Sequence, residues 1–505
     1  MSSPVASLVR NTVYVLLSQN VVRAINFFQV VLLTRYLGTT GYGEYSTAQA
    51  FPGMFMVLTD LGINSILVRR VARNPEEKAS FLSQVLFIKS VLLVVFLAVV
   101  SATVRLSRYD EALKPLLMLS AVGYGASMFS EVVTAASRAS ENFKFESVLN
   151  IARGVLVLVF VLAALLSNLG LPAVVAGFAL ANLLVSAGSM LYIRRLVVGE
   201  MRILPVAKVV AIVKESFPFA MHNIIGPFYG TLDVILLSAL STMEAVGVYS
   251  AGARIIVFLQ VLPLAVNRAA FPRLARLFVA SREGFFRQSN QTTRFLLALG
   301  AAVSVGLALV ADRVVNLLFS SQFEDTATTL RIQALALVFY YLRQNFSTAL
   351  YTSNRERLAI TLFGIGACAN AGFDWILIPR YHAVGAACGS LLAEITLCSL
   401  YFGAARLRVG AVGIDGKGTR IVLAAVLMGG VAWCGHRLPL AAQVSLAAVC
   451  YGVALLGLGV FTREERAMFT RILPWRKRVS AGHPAAAGSS PAMSDGDEMD
   501  GSDRR

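Results

Sequence analysis

The sequence predicts an all-α integral membrane protein of about fourteen transmembrane helices. They are expected as two six-helix bundles in a pseudo-twofold repeat, with two C-terminal helices appended. Three observations predict this. Apolar residues make up 57% of the 505-residue chain and charged residues 14%, with a mean hydropathy of +0.69, whereas a soluble domain carries ~25% charged residues to solvate its surface. The apolar residues fall in runs of ~20, the length that spans a bilayer core. Short sequences also recur at spacings that pair each run with the sixth one after it.

The first run, 11–34, is too long for a cleavable leader and carries Gln19, Asn20, Arg23, Asn26 and Gln29. Gln19, Arg23 and Asn26 recur at i, i+4, i+7 and so share one helix face. A stripe of this kind in hydrocarbon is either a cavity-lining face or a buried hydrogen-bond network. Runs 45–67, 82–104, 112–134, 146–167 and 171–193 complete a first bundle over 1–200. The seventh run, 216–240, opens the second bundle, 201–415. It holds Pro218 and Pro227 with Gly226 and Gly230 nearby, a pattern that predicts a hinge or a static kink because proline removes a backbone hydrogen bond. Runs 248–270, 295–318, 326–351, 358–378 and 383–405 follow, and 421–435 and 441–461 form an appended pair within 416–462. Residues 463–505 turn from basic to acidic and read as a disordered cytoplasmic tail. Alternating ~10-residue segments, the mark of a membrane barrel, do not occur.

Gly43-Glu44-Tyr45-Ser46 opens the second run and Gly247-Val248-Tyr249-Ser250 the eighth. Ala173-Val174-Val175-Ala176 and Ala383-Val384-Gly385-Ala386 open the sixth and twelfth. Parallel repeats of this kind enclose a central cavity and rock about it.

The net charge of +17 is accounted for by orientation. Basic residues favour alternate loops by roughly four to one, which places both termini in the cytoplasm and sets basic loops against anionic lipid rather than nucleic acid. The five cysteines form no CxxC pair and lie in apolar runs, so they are expected to be buried and inert. The four histidines make no ligand spacing and there is no phosphate-binding GxxxxGK[ST] loop. Neither a metal, a cofactor nor an enzyme activity is predicted, and no outer loop is large enough for the active site of a membrane glycosyltransferase or polymerase.

A charge inside a bilayer is costly, so those present should face water or a partner. Arg23, Arg254, Lys89, Arg153 and Arg343 are the cationic cavity candidates, with Gln19 and Asn26 as a supporting polar face. Lys89, Arg153 and Arg343 also fit snorkelling toward lipid phosphates. Asp233 and Glu394 are coupling or gating candidates. Asp233 could equally form a salt bridge with Arg254, and Glu394 could be a carboxylate held by a neighbour. Glu131, Arg268, Arg331 and Asp374, near span ends, read as anchors.

Thr34-Arg35-Tyr36-Leu37-Gly38, Gly41-Tyr42-Gly43-Glu44-Tyr45, Asp60-Leu61-Gly62-Ile63 and Arg69-Arg70-Val71-Ala72 together resemble the N-terminal signature of the oligosaccharide/polysaccharide flippases (O-antigen, Wzx-type). Those proteins belong to the multidrug/oligosaccharidyl-lipid/polysaccharide exporter superfamily. Ala245 to Tyr249 and Asp374 to Pro379 followed by Ala383 to Ala387 extend the resemblance, which covers about 1–460. It implies a V-shaped helical fold in the cytoplasmic (inner) membrane. By alternating access, that fold would move polyprenyl-diphosphate-linked oligosaccharide from the cytoplasmic to the outer leaflet for surface polysaccharide biosynthesis. The implied partners are that lipid-linked substrate, membrane lipids, H+ or Na+ as coupling ion, and the polymerase and glycosyltransferases of the same biosynthesis. Arg23 and Arg254 match helices that line the cavity in the family. A cation-coupled multidrug exporter of the superfamily would favour acidic deep residues, and the signature fits the lipid II flippases less well.

Overall fold

The computed structural model describes residues 4–196, 205–414 and 416–461, and every regular element among them is helical. In chain order the α-helices are α1 (Pro4–Met54), α2 (Val57–Asp60), α3 (Ile63–Arg73), α4 (Lys78–Leu106), α5 (Lys114–Ala139), α6 (Phe143–Leu166), α7 (Gly170–Leu196) and α8 (Val206–Leu240). They continue as α9 (Met243–Leu259), α10 (Val261–Ala280), α11 (Arg282–Leu318), α12 (Thr326–Thr352), α13 (Glu356–Arg408), α14 (Gly418–Cys434) and α15 (Leu440–Gly457). The tail expected over 463–505 lies outside the described residues.

Two of these elements are helical hairpins. Gly38 breaks α1 with φ 67, a left-handed conformation that glycine adopts without penalty, and the two limbs then touch where the Gln29 amide donates to the Tyr45 phenol at 3.2 Å. His382 breaks α13 with φ 49. A Cβ makes that conformation costly, and the His382 Nδ1–Ser241 Oγ hydrogen bond of 2.8 Å holds it in place. The returning limb packs back so that the Tyr401 hydroxyl donates to the Ala359 carbonyl at 2.6 Å.

Among the described residues, ten helical stretches are long and apolar enough to cross a membrane by length and composition. The expected count of fourteen is reached only if each hairpin is taken as two spans and α8 and α12 are admitted, so it stands as an expectation. The surface supports immersion in lipid: Trp433 is 73% exposed and Val94 67%, and Leu191, Trp375 and Val449 are also exposed. So much bare apolar surface would aggregate in water. Of the five cysteines only Cys398 is buried; Cys368 and Cys434 are exposed. The expectation that all five would be buried is corrected, because an apolar run in a membrane protein faces lipid as readily as core.

The interruption in the helices falls in the second span. After Pro52, α1 ends at Met54, α2 is a single turn, and Leu61 (φ 42) and Gly62 (φ 79) turn the chain before α3. Carbonyls freed at such a break need donors in a membrane. Lys89 of α4, fully buried, donates to the Thr59 carbonyl at 2.8 Å and to the Asp60 carboxylate at 2.9 Å. The same carboxylate accepts the Asn64 N–H at 3.2 Å and so caps α3. By contrast α8 runs as one helix through Pro218 and Pro227, so neither proline breaks it.

The two halves of the sequence meet most closely where α1 crosses α9. At Gly43 a side chain would overlap the Met243 carbonyl, and at Gly247 it would overlap the Thr39 carbonyl. Thr39 is to Gly43 as Met243 is to Gly247, so repeat-related positions face each other in a small-residue crossing, which lets backbones approach. On the same side the Arg35 guanidinium donates to the carbonyls of Leu317 (2.7 Å) and Leu318 (3.0 Å) at the end of α11. At α3 and α8, Arg69 (3.3 Å) and Arg70 pair with Glu215.

Candidate functional site

The polar face of the first span opens onto a cavity of about 560 Å³ between α1, α6 and α9, with Tyr124 of α5 and Phe178 of α7 closing its sides. Gln19, Arg23 and Asn26 all line it, as the i, i+4, i+7 spacing requires, and Arg153 of α6 and Arg254 of α9 complete a set of three arginines. Among the described residues no aspartate or glutamate lines this hollow. Arg153 donates to the Ser130 hydroxyl. Arg254 stands among the phenols of Tyr42, Tyr45 and Tyr124, and its side chain is exposed to solvent although it lies between helices. Neither Arg23 nor Arg254 has a carboxylate partner among the described residues. Unpaired guanidinium groups walled by low-dielectric helices create a strongly positive hollow.

A second cavity of about 570 Å³ adjoins the first and shares Gln49, Tyr124, Arg254 and Val257 with it. Its other walls come from α8, α12 and α13. Here charges are paired. Arg343 grips Glu394 through Nε (2.8 Å) and Nη2 (3.1 Å), with both side chains buried, and the Tyr229 hydroxyl donates to Glu394 at 3.4 Å. The guanidinium also lies over Tyr340 (4.9 Å) and Phe363 (5.7 Å). Glu394 is thus a partnered carboxylate.

Asp233 does not bond to Arg254. It accepts hydrogen bonds from the hydroxyls of Tyr249 and Ser390 (2.7 Å to the latter) and from the Asn370 amide. Beside it lies Asp374, fully buried, with neither carboxylate oxygen hydrogen-bonded among the described residues. Asp374 was expected as an anchor near a span end, and that expectation is corrected: its side chain turns inward against Gly389 of the returning limb. Asn370 and Asp374 are one turn apart on α13, as are Ser390 and Glu394. That i, i+4 pairing was the available signal in the sequence.

Lys89 is not brought to either hollow, because the break in the second span consumes its charge and its donors. Pro227 lines a smaller cavity of about 210 Å³ together with Asp60 and Glu131, against the broken segment 53–62. Among the described residues no group of histidine, cysteine or acidic side chains is arranged to hold a metal ion.

Comparisons with known proteins follow the same lines. Residues 8–278 match the model of the family described as polysaccharide biosynthesis protein, and 230–455 match that of the lipid II flippase MurJ. A Shigella flexneri protein named as an O-antigen transporter is 22% identical over 406 residues, covering 75% of this chain and 93% of its own. Among solved structures, the lipid II flippase MurJ in an inward closed conformation superposes with a TM-score of 0.73 at 16% identity, over 92% of this chain and 99% of that one. An inward-facing multidrug resistance transporter of the MATE family superposes with a TM-score of 0.64 at 16% identity, over 76% and 94%. These likenesses establish the fold.

Proposed function

The chain belongs to the polysaccharide biosynthesis protein family, within the multidrug/oligosaccharidyl-lipid/polysaccharide exporter superfamily, and on that premise we propose that it flips polyprenyl-diphosphate-linked oligosaccharide from the cytoplasmic to the outer leaflet by alternating access. It is a multi-pass membrane protein, and on this reading it sits in the inner membrane with both termini in the cytoplasm. The observation that carries the reading is the first hollow: Arg23, Arg153 and Arg254 on its wall with no carboxylate among them. A diphosphate is the part of the cargo that most resists entering a membrane, and arginine grips phosphate oxygens through its planar fork. A multidrug exporter for cations would need the opposite sign in this position.

The Asp233–Asp374 pair is the proposed coupling site. Two adjacent carboxylates, one of them fully buried, are stable together only with a shared proton or a bound cation between them. Tyr249, Ser390 and Asn370 add oxygen and amide groups at the same place. H+ or Na+ entering there would bias α8 against α13, the elements that wall the second hollow.

The test is transport of a fluorescent polyprenyl-diphosphate oligosaccharide across proteoliposomes. Arg23→Ala should lower the rate about tenfold or more, the weight of one charge-assisted contact, with insertion and folding unchanged. A wild-type rate in that variant would refute the role of the arginine hollow.

A further inference from the structure

We propose that the second hollow receives the glycan and admits neutral or amino sugars in preference to acidic ones, with Glu394 as the residue that sets this preference. The inference rests on the transport reading above and adds to it a substrate class. Because the two hollows share Arg254 and Gln49, a headgroup whose diphosphate lies in the first projects its sugars into the second. The second wall suits sugars: Tyr229 presents an aromatic ring for the C–H side of a sugar, and Gln260, Gln344 and Ser390 present hydrogen-bonding groups for hydroxyls.

Its charge is what discriminates. Among the described residues the one arginine that lines this hollow alone, Arg343, has two of its nitrogens committed to Glu394 and its face covered by Tyr340 and Phe363. Its charge is balanced by Glu394, so it presents no net positive charge to a second carboxylate. Arg254, on the shared wall, is engaged by the diphosphate. An acidic sugar would therefore meet Glu394 and Asp233 with no unclaimed cation, and like charges at close range in a confined site repel strongly. A hydroxyl or an ammonium in the same place meets only acceptors and donors it can use. Charge balance within the Arg343–Glu394 pair, rather than the shape of the hollow, sets the preference.

The experiment compares two lipid-linked oligosaccharides that differ at one sugar, a glucose in one and a glucuronic acid in the other, in the same proteoliposome assay. Wild-type protein should move the neutral cargo at least about tenfold faster, equivalent to ~1.4 kcal/mol. Glu394→Gln frees the Arg343 guanidinium and should bring the ratio close to one. The double variant Arg343→Gln/Glu394→Gln restores neutrality without ions and should keep the wild-type ratio. Equal rates for both cargoes in wild-type protein, or the same ratio in the single and double variants, would overturn the proposal while transport of the neutral cargo still upheld the flippase reading. Wild-type protein that moves neither cargo would overturn both. Should Glu394→Gln fail to insert, the wild-type ratio and the double variant decide the matter alone.

Discussion

Arg254 is the charged residue among the four that both hollows share, and its surroundings allow its charge to be tested by sign. Among the described residues no acid pairs with it, three phenols surround it, and on the proposed reading it faces a diphosphate. Arg254→Ala removes a contact and should slow transport by roughly tenfold, whereas Arg254→Glu places like charge against phosphate and should slow it by a further factor of about ten or more. Equal, mild losses in the two variants would mean that the site does not meet an anion. The shared cavity-lining face of Arg23 and its neighbours was legible in the sequence, because helical spacing alone puts Gln19, Arg23 and Asn26 on one face. Asp374 was not. Its depth was read from the nearest span end, yet what matters is the direction of the side chain, and that depends on how the hairpin at His382 folds α13 upon itself.

The break between Met54 and Ile63 interrupts the second span, and Lys89 is what makes it tolerable. Sequence pattern predicts a hinge or a static kink in α8, which carries two prolines and two glycines, and marks no break in the second span. Yet α8 is continuous, while Pro52, Leu61 and Gly62 break the second span. The mismatch has a physical origin. A proline removes one hydrogen bond and bends a helix, but two successive left-handed residues end it, and a left-handed leucine has no signature in sequence. Lys89→Ala would leave the Thr59 carbonyl and the partly exposed Asp60 without their buried donor, a loss of roughly 1–3 kcal/mol. The expected result is a lower Tm in detergent with transport per folded molecule retained, since Lys89 touches neither hollow. A loss of transport at unchanged Tm would instead place Lys89 in the cargo path.

At the scale of the whole molecule, two well-separated sets of contacts among those that link the halves of the chain stand at opposite ends, and alternating access predicts that weakening each has opposite consequences. One is the Gly43–Gly247 crossing with Arg35 on the end of α11; the other is the pairing of Arg69 and Arg70 with Glu215. The basic-loop pattern assigns the first to the outer face and the second to the cytoplasmic face. Gly43→Val forces a side chain against a backbone carbonyl that cannot yield, so it should favour a state open to the outside. Glu215→Ala should favour one open to the inside, by a smaller margin, because its ion pairs are partly exposed and such pairs contribute little each. The reporter is a cysteine at Gln260, on the wall of the second hollow, in a chain whose five native cysteines are replaced. In oriented vesicles a membrane-impermeant thiol reagent should label it faster from the outer side with Gly43→Val and faster from the cytoplasmic side with Glu215→Ala. If both variants shifted labelling toward the same side, the two contacts would not be opposing gates, and the hollows would have to be reached by another route.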